Sequence, residues 1–213
     1  LEVNQTEQEQ IEALQKWWAD NNTAIISGII LGLAAIFGWR GWQSYIQTTA
    51  EEASDLYTNM IIEVRDHKND KAREYADKLI NEYSRTTYAD FAALMLARLD
   101  VEGAKPDEAI KHLRQVLDAA HQDSLKHIAR LRLVRILLDQ NKTDEAWSIL
   151  QVDDEGAFTA SYAELKGDIY ARQGKVDDAH TSYQLALGNP GTETSDTSFL
   201  QMKIDDLGRR NTE

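Results

Sequence analysis

Nineteen consecutive residues, Asn21 to Trp39, carry no charge, and most of them are apolar. This run constrains the chain more than any other feature. At ~1.5 Å per residue it makes a helix of roughly 28 Å, close to the hydrocarbon thickness of a bilayer. The apolar residues lie all round rather than in a stripe, which a helix on the surface of a soluble core does not show. Trp17 and Trp18 precede the run, and Trp39 and Trp42 follow it. Indole rings favour the headgroup zone, so this placement marks the two edges of a span. Asp20 and Arg40 close the run with charges.

A cleaved signal peptide wants a basic start, a shorter apolar core and small residues at its end. Here Glu2, Glu7, Glu9, Glu12 and Asp20 face Lys16 alone, and the run ends in Phe37-Gly38-Trp39. The expectation is an uncleaved anchor. Lys16 on one side against Arg40 on the other gives no orientation by the positive-inside rule.

The residues that follow are polar enough, and numerous enough, for one domain with its own core. Two prolines, Pro106 and Pro190, among many Ala, Leu, Glu, Gln and Lys point to helices. With no cysteine, disulfides, thiolate metal sites and cysteine nucleophiles are excluded. The net charge of −13 disfavours nucleic acid, whose phosphates would repel the domain.

One short signature recurs: Asp107-Glu108-Ala109, Asp144-Glu145-Ala146 and Asp177-Asp178-Ala179, at intervals of 37 and 33 residues. Each copy follows a turn-like stretch and precedes apolar residues at helical spacing: Ile110, Leu113, Val116 and Leu117, then Trp147, Ile149 and Leu150, then Tyr183, Leu185 and Leu187. The acids suit the positive end of a helix dipole. The Ala lets that helix pack closely on the one before. Such periodicity marks stacked helical hairpins.

In the last copy Ala163, Gly167, Tyr170, Ala179, Tyr183 and Ala186 stand where a tetratricopeptide repeat places its small and aromatic packing residues. Ala93, Ala97, Ala109, Leu113 and Val116 take the corresponding places in the copy 70 residues earlier. Leu133, Val134, Leu137, Ala146 and Leu150 take them in the one between. A degenerate first copy is predicted from Leu56, Met60 and Ile61, then Ala72, Ala76 and Leu79. Thr197 to Leu207, with Phe199, Leu200, Met202, Ile204 and Leu207, reads as a C-terminal capping helix. Gly188 to Asp196 reads as a loop, and Gly208 to Glu213 as a frayed tail. The fold class expected is all-α: one N-terminal transmembrane helix, then a tetratricopeptide-like repeat domain with a C-terminal cap. The connector 43–53 lacks Pro and Gly and is expected to be helical.

No catalytic constellation emerges. His67, His112, His121, His127 and His180 lack metal-ligand spacing, and His121 and His127 stand six apart on an expected helix. The carboxylates are expected on solvent faces and helix starts. No cofactor, metal or catalytic residue is predicted, and the chain is read as a non-enzyme. An enzyme using paired acids would instead need a deep pocket. Within the span, Ala24, Gly28, Gly32 and Ala35 share one face, and small residues let helices approach closely. That face is a candidate for membrane-helix contact. On the first helices of the repeats, Tyr57, Ile61, Leu94, Arg98, Leu131, Arg135, Glu164, Asp168 and Arg172 are the candidate protein-binding groove.

The opening EQIEALQKWWADNN, then SGIILGLAAIFGWRGW, then weak repeats, then QMKIDDL near the end, resembles the YfgM-like family of ancillary SecYEG translocon subunits. The resemblance covers essentially the whole chain. Its most specific parts are Gly38-Trp39-Arg40 to Trp42 and Met202-Lys203-Ile204. It implies a single-pass protein of the bacterial inner membrane, with a cytoplasmic acidic segment at 1–22, a transmembrane helix at 23–42, a helical connector at 43–53 and a periplasmic repeat domain at 54–213. It implies association with membrane lipid, the SecYEG translocon and PpiD, a membrane-anchored periplasmic chaperone, and a part in passing translocated polypeptides to periplasmic chaperones. A link from the cytoplasmic segment to restraint of the RcsB stress regulator is implied as well. A self-associating membrane-anchored structural protein is the alternative reading.

Overall fold

The computed structural model describes residues 2–188 and 197–210, with side chains at 9–188 and 197–208. Its described residues are helical, with no strand among them: α1 (Glu2–Arg65), α2 (Asn69–Glu82), α3 (Thr87–Glu102), α4 (Pro106–Ala119), α5 (Asp123–Asp139), α6 (Thr143–Leu150), α7 (Thr159–Arg172), α8 (Val176–Gly188) and α9 (Thr197–Arg210). The chain divides into two units, Leu1–Glu52 and Ala53–Glu213.

The first unit is helix throughout its described length. It holds a stretch of mean hydropathy 1.7 with none of its residues buried. Ile26, Ile29, Ile30, Leu31, Leu33, Ile36 and Phe37 are 49–70% exposed. Apolar side chains bared on every face are stable in hydrocarbon, not in water. The helix is therefore long and apolar enough to cross a membrane, a candidate transmembrane span.

The second unit begins with the end of α1, which brings Ala53 and Met60 into a core with Ala72, Ala76 and Leu79 of α2 and Ala92, Leu96 and Leu99 of α3. The helices then pack in sequence as hairpins: α3 on α4, α5 on α6, α7 on α8. Ala109, Ala146 and Ala179 are each fully buried. The acids before them occupy the first turns of α4, α6 and α8.

The turns inside the four hairpins share one geometry. His67, Ala104, Asn141 and Gly174 have φ of 57°, 55°, 59° and 73°, the left-handed region. After each comes a lysine whose backbone N–H reaches back across the turn: Lys68 to Glu63 O, Lys105 to Asp100 O, Lys142 to Leu137 O and Lys175 to Tyr170 O, at 2.7–2.9 Å. This six-to-one bond satisfies a carbonyl that the helix end leaves without a partner. The first of these turns, at His67-Lys68, belongs to the degenerate copy.

The cap forms as expected and extends further. Leu200 and Leu207 are buried against Ala163, Ala179, Tyr183 and Ala186, with Ile204 half-buried beside them. Phe199 and Met202 face solvent instead. Gly208 to Arg210 continue α9 rather than fraying. Gly188, expected to open the loop, is instead the last residue of α8; the rest of the expected loop, 189–196, and the rest of the tail, 211–213, lie outside the described residues. Leu185, expected on the apolar stripe of α8, is 52% exposed.

Candidate protein-binding groove

The first helices of the hairpins carry two clefts. One lies between α3 and α5, with a volume of about 340 Å³. Its floor is Ala97 and Val101 of α3, Leu113 of α4 and Ile136 of α5. Arg98, Glu102, Arg132, Arg135 and Asp139 form its rim. The other, of about 530 Å³, runs from α5 across α7 to α9. Arg135, Asp139, Asp168, Arg172 and Asp206 give it a polar lining over Leu138, Leu165 and Leu207. Arg135 and Asp139 belong to both clefts, so the two adjoin along the face of α3, α5 and α7.

Helical spacing explains this lining. Arg98 stands i+4 from Leu94, and Arg135 stands i+4 from Leu131, so each pair shares a stripe. The N-terminal member of each stripe sinks into the core: Leu94 and Leu131 are buried there. The arginine, one turn on, emerges at the surface. Of the nine groove residues expected from sequence, Arg98, Arg135, Asp168 and Arg172 are therefore brought together on the groove wall. Leu94 and Leu131 offer no surface to a ligand. Glu164 is buried and accepts a 2.8 Å bond from Lys203 Nζ. Tyr57 and Ile61 are half-buried and line neither cleft. The Tyr57 ring lies 5.7 Å from those of Tyr88 and Phe91, and burial pushes its phenol above the usual range.

Sequence reasoning missed Val101, Arg132, Ile136 and Lys203. Val101 stands i+3 from Arg98 and Arg132 stands i−3 from Arg135, so both were visible as neighbours on stripes already chosen.

Charges in the groove are unevenly matched. Arg98 Nε holds Glu102 Oε1 at 2.7 Å. Arg172 Nη2 lies 4.0 Å from Asp139 Oδ1, and its Nη1 is 3.4 Å from Asn141 Oδ1. Lys203 Nζ donates to Asp168 Oδ1 and Oδ2 at 2.7 and 2.9 Å. Arg135 makes no hydrogen bond or ion pair among the described residues.

Three carboxylates depart from the expected solvent exposure, although Asp90 stands, as expected of acids, in the first turn of a helix, α3. Asp90, Asp100 and Glu164 are buried rather than solvated. His121 lies in the turn before α5, not on the helix with His127. Its backbone N–H and Nδ1 both approach Asp90 Oδ2, at 3.1 and 3.0 Å. Among the described residues no three His, Asp or Glu side chains cluster so as to hold a metal ion.

The sequence profile of the tetratricopeptide repeat-like domain family matches residues 15–209. An ancillary SecYEG translocon subunit from Escherichia coli strain K12 is 30% identical over 207 residues, 97% of this chain and 99% of the relative. The chain belongs to this family. Ancillary SecYEG translocon subunits from Haemophilus influenzae and Neisseria gonorrhoeae are 31% and 29% identical, each over 94% of this chain and 97% of the relative. The matched residues take in both the apolar helix and the repeat stack that carries the clefts.

Proposed function

We propose that this protein is a non-enzymatic scaffold of the bacterial inner membrane, tethered by one span and associated with the SecYEG translocon. Its repeat domain stands in the periplasm and binds a PpiD-like membrane-anchored chaperone, so that translocated polypeptides pass to periplasmic chaperones. Its N-terminal segment, 1–22, remains in the cytoplasm and restrains the RcsB stress regulator. The observation that carries the reading is a pair of adjoining clefts on a repeat stack in the same chain as a candidate membrane span. Tethering both partners to one bilayer raises their effective concentration and lets modest contacts suffice. Ala24, Gly28, Gly32 and Ala35 present a small-residue face on the span. A Cβ added at Gly28 or Gly32 would meet nothing within 4 Å. This face suits lateral contact with a membrane helix of the translocon.

The test is photo-crosslinking in native membranes, with a photoreactive residue at Val101 or Arg172 of the full chain, followed by mild-detergent isolation and mass spectrometry. Adducts with a membrane-anchored periplasmic chaperone, and co-isolation of translocon subunits, are expected. Adducts with other copies of this chain alone would replace the scaffold by a self-associating structural protein.

A further inference from the structure

We propose that the cleft between α3 and α5 binds a partner-protein segment that carries one large apolar side chain beside a single carboxylate, the apolar group seated on its floor and the carboxylate on Arg135. This rests on the groove being a protein-binding surface, as proposed above, and adds what the groove selects. The floor is apolar, and Val101 is left 50% exposed in it. The volume of about 340 Å³ has room for a leucine- or phenylalanine-sized side chain. Around the floor stand three arginines. Arg98 already holds Glu102, while Arg135 holds nothing among the described residues.

The chain has 36 acidic and 23 basic side chains, so acids to neutralise a guanidinium are in surplus. An arginine left unmatched beside bared apolar surface in such a chain is a recognition feature. Its planar fork takes a carboxylate through two hydrogen bonds. Beside an apolar floor that pairing is less screened than on an open surface. The charges around it narrow the choice further. Glu102 and Asp139 share the rim, and the net charge of −13 repels acidic chains at long range. An acidic run without an apolar anchor is therefore turned away. A single carboxylate beside a buried apolar side chain is accepted.

Fluorescence anisotropy on the full chain in detergent micelles tests this with labelled peptides of Gly and Ser carrying one central pair: Phe-Glu, Phe-Gln, Ala-Glu or Phe-Lys. Phe-Glu is expected to bind tightest. Losing either the carboxylate or the ring should cost about tenfold in Kd, the loss of one good contact. Arg135→Gln should erase the preference for Glu over Gln while keeping that for Phe over Ala, and Arg135→Lys should retain part of the first. Arg114→Gln, on an arginine of α4 that pairs with Glu145 and lines neither cleft, should change neither. Helical circular dichroism and melting confirm that each variant is folded. Equal binding of Phe-Glu and Phe-Gln, an Arg135→Gln variant that discriminates like the wild type, or no binding at millimolar peptide overturns the proposal. Crosslinking to the chaperone together with any of these results leaves the scaffold reading standing without it. Absence of that crosslinking together with intact peptide discrimination removes the scaffold reading instead.

Discussion

A Cβ placed on Gly167 of α7 would lie 2.5 Å from Cδ1 and Cε1 of the Tyr183 ring on α8. The ring has little room to retreat. Tyr183 is 3% exposed, and its hydroxyl donates to Asp168 Oδ1 at 2.7 Å. The glycine is thus the surface against which the aromatic side chain packs, and it sets how closely α7 and α8 approach. Gly167→Val should destabilise the domain by about 1–3 kcal/mol through overpacking. Shortening the ring, in Gly167→Val with Tyr183→Leu, should recover part of the loss because the two sites are coupled. Urea melts of the four proteins in the cycle measure the coupling. Additive losses would mean that the two side chains do not compete for the same space.

The four left-handed turn residues are not equally suited to their backbone. Gly174 adopts φ 73° without a Cβ, whereas Ala104 adopts φ 55° with one. A non-glycine residue in this region costs roughly 1–2 kcal/mol. Ala104→Gly should therefore raise stability by about 0.5–1 kcal/mol, after the entropy that glycine adds to the unfolded chain is set against the relieved strain. Gly174→Ala should lower it by a similar amount. Paired thermal melts show whether the signs are opposite, and like signs would refute a common turn geometry.

Asp100 links three helices. Its carboxylate is nearly fully buried, 2.7 Å from Arg73 Nη2 of α2 and 3.5 Å from His112 Nε2 of α4. The partners are unequal, because the Arg73 side chain is 30% exposed and that of Asp100 is 2% exposed. Arg73→Met strands the buried carboxylate. Its expected cost is roughly 2–4 kcal/mol, reduced from that of a fully buried pair by the exposure of Arg73. Asp100→Asn leaves an arginine that can turn to water, so its cost should be smaller. Denaturant midpoints that reverse this order would show that Arg73 does not support Asp100.

The contrast between these sites explains what was legible in the sequence. The positions Ala93, Ala97, Ala109, Ala146, Gly167 and Ala179 announced the hairpins because close helix packing admits only small side chains, and it repeats them at fixed spacing. The shared left-handed turn was half visible: Asn141 and Gly174 advertise it, but His67 and Ala104 do not. The buried carboxylates were not visible. Asp100 finds Arg73 and His112 on two other helices, and no local spacing encodes pairings between helices. Of the residues expected in the groove, Arg98, Arg135 and Arg172 do line the clefts. Leu94 and Leu131 do not, because there the stripe passes into the core.

His127 gives the stability a dependence on pH. Burial, then the charge of Arg130, holds its imidazole below the usual histidine range. Its Nδ1 lies 2.8 Å from the Tyr162 hydroxyl, and Arg130 Nη1 donates to that hydroxyl at 3.4 Å. This arrangement suits a neutral ring accepting from Tyr162. A histidine depressed on folding binds its proton more readily in the unfolded chain. Its stabilising contribution is thus complete above the ordinary value of about 6.5 and is lost as pH falls toward the folded-state value. His127→Gln should make stability fall less steeply between about pH 7.5 and 5.5 than in the wild type. Urea midpoints across that window test it, and parallel slopes would remove His127 as a contributor.

Beside the buried Leu200 and Leu207, a cation ties the cap to α7. Lys203 Nζ of α9 reaches Glu164 Oε1 at 2.8 Å and Asp168 Oδ1 at 2.7 Å, two acids one turn apart on α7. It also lies 4.8 Å from the centre of the Phe199 ring. All three ionic side chains are mostly buried, at 11–23% exposed. Removing the lysine leaves two carboxylates facing each other with little water to separate them. Lys203→Met should therefore loosen α9 first and cost about 2–4 kcal/mol in the terminal hairpin, less than a fully buried charge because some solvent reaches the site. Hydrogen exchange by mass spectrometry should show faster exchange in α7, α8 and α9 while α2 to α5 keep their protection, since stacked repeats open locally. Adding Glu164→Gln to Lys203→Met should restore part of the protection by removing one of the stranded charges. Uniform acceleration along the whole domain would contradict a local latch, and unchanged exchange in α9 would show that Leu200 and Leu207 hold the cap without it.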